Sequence, residues 1–370
     1  MQVHAYDEHT ILLRQSKALT YEAPFLYLLF GNERALLLDT GAVADPERMP
    51  LRTTIDGVVK DWLRRHPRTD YELVVAHTHD HGDHVSGDGQ FVDRPSTTVV
   101  GRDVAAVKAF FGFGDWPREI VHLDLGGRVL EVTGIPGHHD TSVAIFDPWS
   151  GLLLTGDTVY PGRLYVEDPR AFRDSLDALV SMTQTRPVSA VMGCHIEMTA
   201  TPGRDYPLGT TYQPHEPPLA MSVAQLREVR EAAVLAHDRP GVHHFDDFAI
   251  YNGPCTLAMA RQLLRRTAQT LRTRLSTART TRGPRRVRRR RADAWDFGSL
   301  AVLSSWWSLD RWIGTAQNGT DLASLALTIA LTAGAVFNCW RAIRGFVGSG
   351  ARERGLSVST PPTPTPTRHQ

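Results

Sequence analysis

Cysteine is scarce. The 370 residues hold three, Cys194, Cys255 and Cys339, too few and too widely spaced for a disulfide framework. The start of the chain also lacks the basic-then-apolar run of a secretory signal, so we expect a cytoplasmic catalytic part. A net positive charge is lacking over most of the chain. The formal net charge is +1, yet thirteen arginines and no acidic residue lie between Arg261 and Arg291, and the segment after them is nearly balanced. Residues 1–260 are therefore acidic by about a dozen charges. Such a surface repels a polyanion, which counts against a nuclease and favours a small-molecule substrate.

What the chain does have is histidine, and in one place. Thr78 to Gly87 reads THDHGDHVSG, with His79, His81, Asp83 and His84 inside six residues. The run follows Tyr71 to Ala76, a short β-branched stretch that reads as a buried strand. On an extended backbone, side chains two apart point the same way, so His79 and His81 can grip one ion. Asp83 and His84 come after Gly82, where the chain can turn, and can serve a second ion nearby. Further donors follow downstream: His138 after Gly137 at the end of a Val129 to Thr133 strand, Asp157 after Leu152 to Gly156, and His195 after Ala190 to Cys194. Each comes after a strand and a small residue.

With Leu36-Leu-Leu-Asp39-Thr-Gly41 placed ahead of them, these pieces resemble the metallo-β-lactamase fold superfamily over roughly residues 10–200. The resemblance implies an α/β fold, an αββα sandwich, and two metal ions. His79, His81 and His138 would hold the first, Asp83, His84 and His195 the second, with Asp157 bridging and Asp39 buried beneath. The family pattern wants a histidine directly after the glycine and four residues before Ser or Thr, which selects His138 with Ser142 over His139. His139 is then a supporting or substrate-contacting candidate. Cys194 beside His195 reads as a small buried strand-end residue, although a thiolate there could bind metal.

Two zinc ions sharing Asp157 and a solvent molecule would bring that solvent's pKa toward neutrality and give a bridging hydroxide, with Asp83 orienting it and taking its proton. The expected function is hydrolysis of a small ester, thioester or lactone-like substrate. Glyoxalase II-like thioesterases share the histidine run, but their basic glutathione clamp is not found here. Persulfide dioxygenases of the same fold use one iron and part of the same ligand set, so iron is the alternative metal and sulfur oxidation the alternative reaction. A phosphodiester- or RNA-processing nuclease ranks below both. Flavodiiron oxidases place a glutamate where this chain has His81.

The catalytic domain is expected to occupy residues 1–260. Arg173 to Val180 has helical apolar spacing and precedes the His195 strand as a crossover helix should. Thr201 to Pro218 is a proline-rich loop, longer than a connector needs, and reads as a lid with Tyr206, Tyr212 and His215 as substrate-contact candidates. Ser222 to Ala236 reads as a helix with Ser222 as N-cap and Gln225 three residues on. Beyond lie an Arg-rich linker (261–296), an apolar segment (297–345) and a disordered Pro/Thr tail (346–370). Leu322 to Trp340 is an uncharged run about long enough to cross a bilayer, flanked by Arg341 and Arg344, so an anionic membrane surface is an expected partner of this part.

Overall fold

The structure, a computed structural model, describes residues 1–253, 255, 258–262 and 264–268. They lie within a compact unit spanning Met1–Thr280. The linker beyond residue 268, the Leu322 to Trp340 run and the Pro/Thr tail lie outside the described residues. Among the described residues no helix is long and apolar enough to cross a membrane.

The first sheet is built from β1 (Gln2–Ala5), β2 (Thr10–Arg14), β3 (Phe25–Phe30), β4 (Arg34–Leu38), β5 (Glu72–Ala76) and β6 (Thr97–Val99), paired in that order, with α1 (Leu51–Arg65) between β4 and β5. After β5 come the single-turn α2 (Gly82–Val85) and, beyond β6, α3 (Val104–Phe111). The second sheet contains β7 (Ile120–Asp124), β8 (Val129–Gly134), β9 (Val143–Asp147) and β10 (Leu152–Gly156). The chain then forms β11 (Arg163–Val166) and α4 (Pro169–Thr185), and returns to the second sheet as β12 (Ala190–Gly193) and β13 (Ala220–Met221). It closes with α5 (Val223–Ala236), β14 (Gly241–His244) and β15 (Ala249–Asn252); β14 and β15 join β11 in a three-stranded sheet.

Side-chain alternation along the strands sets the layers. In β3 and β4, Tyr27, Leu29, Leu36 and Leu38 enter one core with Leu130, Val132, Ile145 and Leu154 of the second sheet. Their neighbours Leu26, Leu28, Phe30 and Leu37 face the opposite way, onto Leu51, Ile55 and Trp62 of α1. The second sheet does likewise, sending Ala144, Phe146, Leu153 and Val191 onto Leu176 and Leu179 of α4 and Leu226 and Val229 of α5. The result is helix, sheet, sheet, helix.

The two helices on the second sheet, α4 and α5, carry the end signals their sequences promise. Asp168 caps α4 by accepting from the Arg170 and Ala171 amides, with Pro169 in the first turn. Ser222 and Gln225 close a reciprocal capping box on α5. α4 carries the chain over from the β10 region to β12, which pairs parallel to β10. The parallel relation of β4 with β5, and of β8 with β10 and β12, gathers the C-terminal ends of these strands. Asp39, the Thr78 to His84 run, His138, Asp157 and His195 all follow those ends.

The expected boundary at residue 260 meets a structural feature. Residues 258–262 and 264–268 are helical, and Gln262 and Arg265 hydrogen-bond to buried Asp205 at 2.5 and 2.8 Å. Residues past 260 thus pack on the unit that carries the histidines.

Candidate metal centre

Five imidazoles are oriented by what their outer nitrogens touch. His138 Nδ1 donates to the Tyr165 carbonyl at 2.8 Å, leaving a lone pair on Nε2. The Thr78 hydroxyl gives its single proton to Asp39 Oδ2 at 2.9 Å, so it accepts from His79 Nδ1 at 3.1 Å, and His79 Nε2 is bare. His81 turns the other way, with Nε2 3.7 Å from Glu167 and Nδ1 inward. These three bare nitrogens converge: His79 to His81 2.9 Å, His138 to His81 3.1 Å, and His138 to His79 3.2 Å. Three lone pairs so close repel one another unless a cation sits among them.

The second set is mixed. His84 Nδ1 donates to Asp39 Oδ2 at 2.9 Å, and His195 Nδ1 donates to the Glu22 carbonyl at 3.1 Å. Their Nε2 atoms lie 3.4 Å apart. His195 Nε2 is 3.2 Å from Asp83 Oδ2 and 3.3 Å from Asp157 Oδ2, and His84 Nε2 is 3.5 Å from both. Donors on one tetrahedral zinc stand roughly 3.3–3.6 Å apart, from bonds of about 2.0–2.2 Å. Both sets are close to that spacing. Asp157 Oδ2 also lies 3.8 Å from His138 Nε2, so one carboxylate oxygen faces both sets. Its other oxygen, Oδ1, is buried with no hydrogen-bond partner among the described residues. A buried carboxylate oxygen without a donor is costly, and a cation beside it removes that cost.

The electrostatics agree. Burial pushes His79 well below its ordinary pKa and His138 down to about 4, so both stay neutral. Burial works against charge on His84 and His195 too, but Asp83 and Asp157 outweigh it, joined at His84 by Asp39; His84 is held well above its ordinary value and His195 is raised to about 10. Asp83 falls to about 2 despite its burial, because His84 and His195 favour its charged form. The second set is a place that demands positive charge.

Two glycines explain the backbone at the ligands. Gly137 has φ +129°, and a Cβ there would lie 2.3 Å from the Phe172 backbone of α4. Gly156 has φ +52° and would strike Thr78 at 2.8 Å. A side chain at either position would displace the histidine or aspartate that follows. Gly82, by contrast, needs no such freedom: it opens α2, its φ is not positive and nothing crowds it. The turn expected there is the start of a short helix. Asp39 is the residue that takes a left-handed backbone, at φ 70°.

A family model described as the metallo-beta-lactamase superfamily matches residues 22–237, more than half of the chain. The chain belongs to the metallo-beta-lactamase superfamily. Within curated proteins it is similar to two named hydroxyacylglutathione hydrolase, from Synechococcus sp. strain JA-2-3B'a(2-13), 32% identical over 166 residues, and from Synechococcus sp. strain JA-3-3Ab, 34% identical over 166 residues. Each match covers 42% of this chain and 58% of the relative, so the chain spans little more than half the length of these relatives. Among solved structures, the DIM-1 metallo-beta-lactamase is 16% identical, with 64% of this chain and 97% of that one covered and a TM-score of 0.43. That likeness is too loose to carry an argument.

Within this superfamily fold, the seven expected donors fall into the two sets described, His79, His81 and His138 in one and Asp83, His84, Asp157 and His195 in the other. Cys194 is a buried thiol whose Sγ lies 3.4 Å from Asp39 Oδ2, and burial followed by the Asp39 charge keeps it protonated. His139 sits on the rim, its Nδ1 2.9 Å from the Thr141 hydroxyl and its ring 4.7 Å from that of His81. The lid candidates fare differently. Tyr206 is 8% exposed and its hydroxyl accepts from the His215 amide at 2.8 Å, holding the loop together; Tyr212 is 75% exposed. Neither they nor the exposed His215 touch the two donor sets among the described residues. Sequence reasoning missed Glu22, Tyr165 and Glu167, which adjoin the histidines. They carry no motif, and only the fold brings them there.

Proposed function

We propose that the protein is a two-metal hydrolase of small acyl thioesters and esters. The observation that carries this reading is the single Asp157 oxygen facing two convergent donor sets, one of three imidazoles and one with two carboxylates. His79, His81 and His138 would hold one zinc ion, Asp83, His84 and His195 the other, and Asp157 would serve both. Such a pair, when bound, supplies an activated water and polarises the acyl carbonyl. The chain's own part is to orient and to move protons. Asp39, Thr78, Tyr165 and Glu22 fix the outer nitrogens of four of the five histidines, so that their inner nitrogens are aimed at the two sets. Asp83 is the more open of the two carboxylates in its set, with 18% side-chain exposure against 9% for Asp157, and is the group placed to take a proton from the attacking water and return it to the leaving thiol or alcohol.

The similarity to relatives named hydroxyacylglutathione hydrolase supports thioesters over lactams and phosphodiesters, and the acidic surface of residues 1–260 supports a small substrate over nucleic acid. The test is metal analysis of the purified chain together with a screen of thioesters, lactones and phosphodiesters. About two zinc ions per chain and thioester turnover are expected, with both the second ion and the turnover lost in Asp157→Ala. One iron per chain with oxygen uptake on a persulfide would replace this reading by sulfur oxidation.

For the tail, the arginine-rich stretch and the Leu322 to Trp340 run together suggest attachment to an anionic membrane surface. Fractionation tests it: detergent but not high salt should release a chain that spans, salt alone one held by arginines, and recovery in the soluble fraction at low salt rejects both.

A further inference from the structure

One buried guanidinium reaches toward both donor sets. Arg163 of β11 donates through Nη2 to Glu197, through Nη1 to Asp205 Oδ2 at 3.2 Å and the Tyr206 carbonyl at 2.8 Å, and through Nε to the Tyr165 hydroxyl at 3.2 Å. Two of these partners lead to candidate ligands. Glu197 comes just after His195 and Ile196, its carboxylate also takes the Arg163 amide at 2.8 Å, and its own amide donates to the Pro161 carbonyl at 2.9 Å. Tyr165 offers its carbonyl to His138 Nδ1 at 2.8 Å. Arg163 thus braces the chain that leaves His195, in the second set, and the residue that turns His138, in the first.

The remaining carboxylate leads away from the metals. Buried Asp205 is met by the helical residues 258–262 and 264–268, which lie past residue 237, where the superfamily match ends. Gln262, itself buried, donates to Asp205 Oδ2 at 2.5 Å, the same oxygen that faces Arg163, and lies 3.2 Å from the Tyr251 hydroxyl of β15, the strand beside β11. Arg265 donates to Asp205 Oδ1 at 2.8 Å and to the Asp205 carbonyl at 3.1 Å. The carboxylate is therefore gripped from the side away from Arg163, and the guanidinium it faces is held in turn. A buried arginine that loses a well-placed carboxylate must shift toward what remains.

We propose that Gln262 and Arg265 are positioning residues for the metal centre, acting through Asp205 and Arg163 on His195 and His138. The inference rests on the two-metal reading. Without these two donors Asp205 turns toward water, Arg163 follows it, and Glu197 and Tyr165 lose part of what fixes them. The ligands are all still present, but two of the histidines are less firmly aimed before an ion arrives, so the ions bind more weakly.

The experiment is zinc binding to the full chain, read by chelator competition. Gln262→Leu combined with Arg265→Met should lower the affinity about threefold to tenfold, less than the loss of a group that touches a ligand directly. Gln262→Leu with Arg265→Lys, which keeps a cation for Asp205 without the fork, should regain part of that loss. Ile55→Val separates positioning from stability. Ile55 packs under α1 on the other face of the first sheet, so this variant should lower the Tm and leave zinc affinity as it was. Should the double variant fold too poorly to load, Gln262→Leu alone gives the same reading at smaller size. Wild-type affinity in the variants of Gln262 and Arg265, or a loss in Ile55→Val as large for the same fall in Tm, overturns the inference and leaves the metal centre standing. A wild-type chain that takes up no zinc overturns the two-metal reading, and this inference with it.

Discussion

Asp39 Oδ2 lies 2.9 Å from His84 Nδ1, and its other oxygen takes the Thr78 amide at 2.7 Å. One buried carboxylate therefore sets both the ring of a second-set histidine and the backbone that launches the histidine run. It does so from a left-handed conformation that costs about 1 kcal/mol or more in a residue with a side chain, and Asp and Asn tolerate that region better than most. Asp39→Asn keeps the shape and the tolerance while removing the charge that favours His84 as a donor. It should lower metal affinity about tenfold to a hundredfold, the usual effect of losing such a support, as read by chelator competition. Unchanged affinity would mean that His84 needs no carboxylate behind it.

His138 and His139 are adjacent in sequence but not equivalent in space. The Nε2 of His138 points into the first set, 3.1 and 3.2 Å from its partners, whereas His139 turns its Nδ1 to Thr141 on the rim. His138→Ala should cut activity by roughly a thousandfold or more, since it removes a donor outright. His139→Ala should cost far less. A reversed ranking, measured with metal content determined on the same samples, would reassign the first set.

The donor residues were legible because a metal site needs many ligands and the chain supplies most of them in one dense run, each of the others coming just after a strand. The helix at Val223–Ala236 was legible for a local reason as well, since its capping box lies within four residues. What the sequence hid was contact across distance. Nothing local distinguishes Glu22, because its loop has no periodicity and its contact is with His195, more than 170 residues on. Nor could composition show that the helical residues past 260 belong with the first unit. That depends on Asp205 of the proline-rich loop, whose carboxylate meets Arg163, Gln262 and Arg265 together.

That last contact bears on where the chain can be cut. Ending it after residue 260 removes two of the partners of a buried carboxylate, at a cost of about 1–3 kcal/mol. For a domain of this size that is a fall in Tm of roughly 3–10 °C. Ending it after Thr280, where the compact unit closes, should spare those contacts. Equal melting temperatures for the two shortened chains, each carrying its metals, would show that Asp205 is satisfied without the later helix.

Lys17 also predicts how stability responds to alkali. Burial, with the Arg14 charge adding to it, lowers its pKa from 10.5 to about 8 in the folded chain. Below pH 8 the side chain is charged in both states, and the folded state bears the full cost of holding a charge away from water. Between about pH 8 and 10.5 the unfolded chain binds more protons than the folded one, so rising pH stabilises the fold; above 10.5 both forms are neutral and the cost is gone. Lys17→Met never bears it. The variant should therefore be more stable than wild type at pH 7 by about 1–2 kcal/mol, a figure reduced for the partial exposure of the side chain. The difference should narrow as the pH is raised toward 9.5. Urea melts of both proteins at the two pH values measure this directly, and a difference of the same size at both would mean that the ammonium is already solvated in the folded chain.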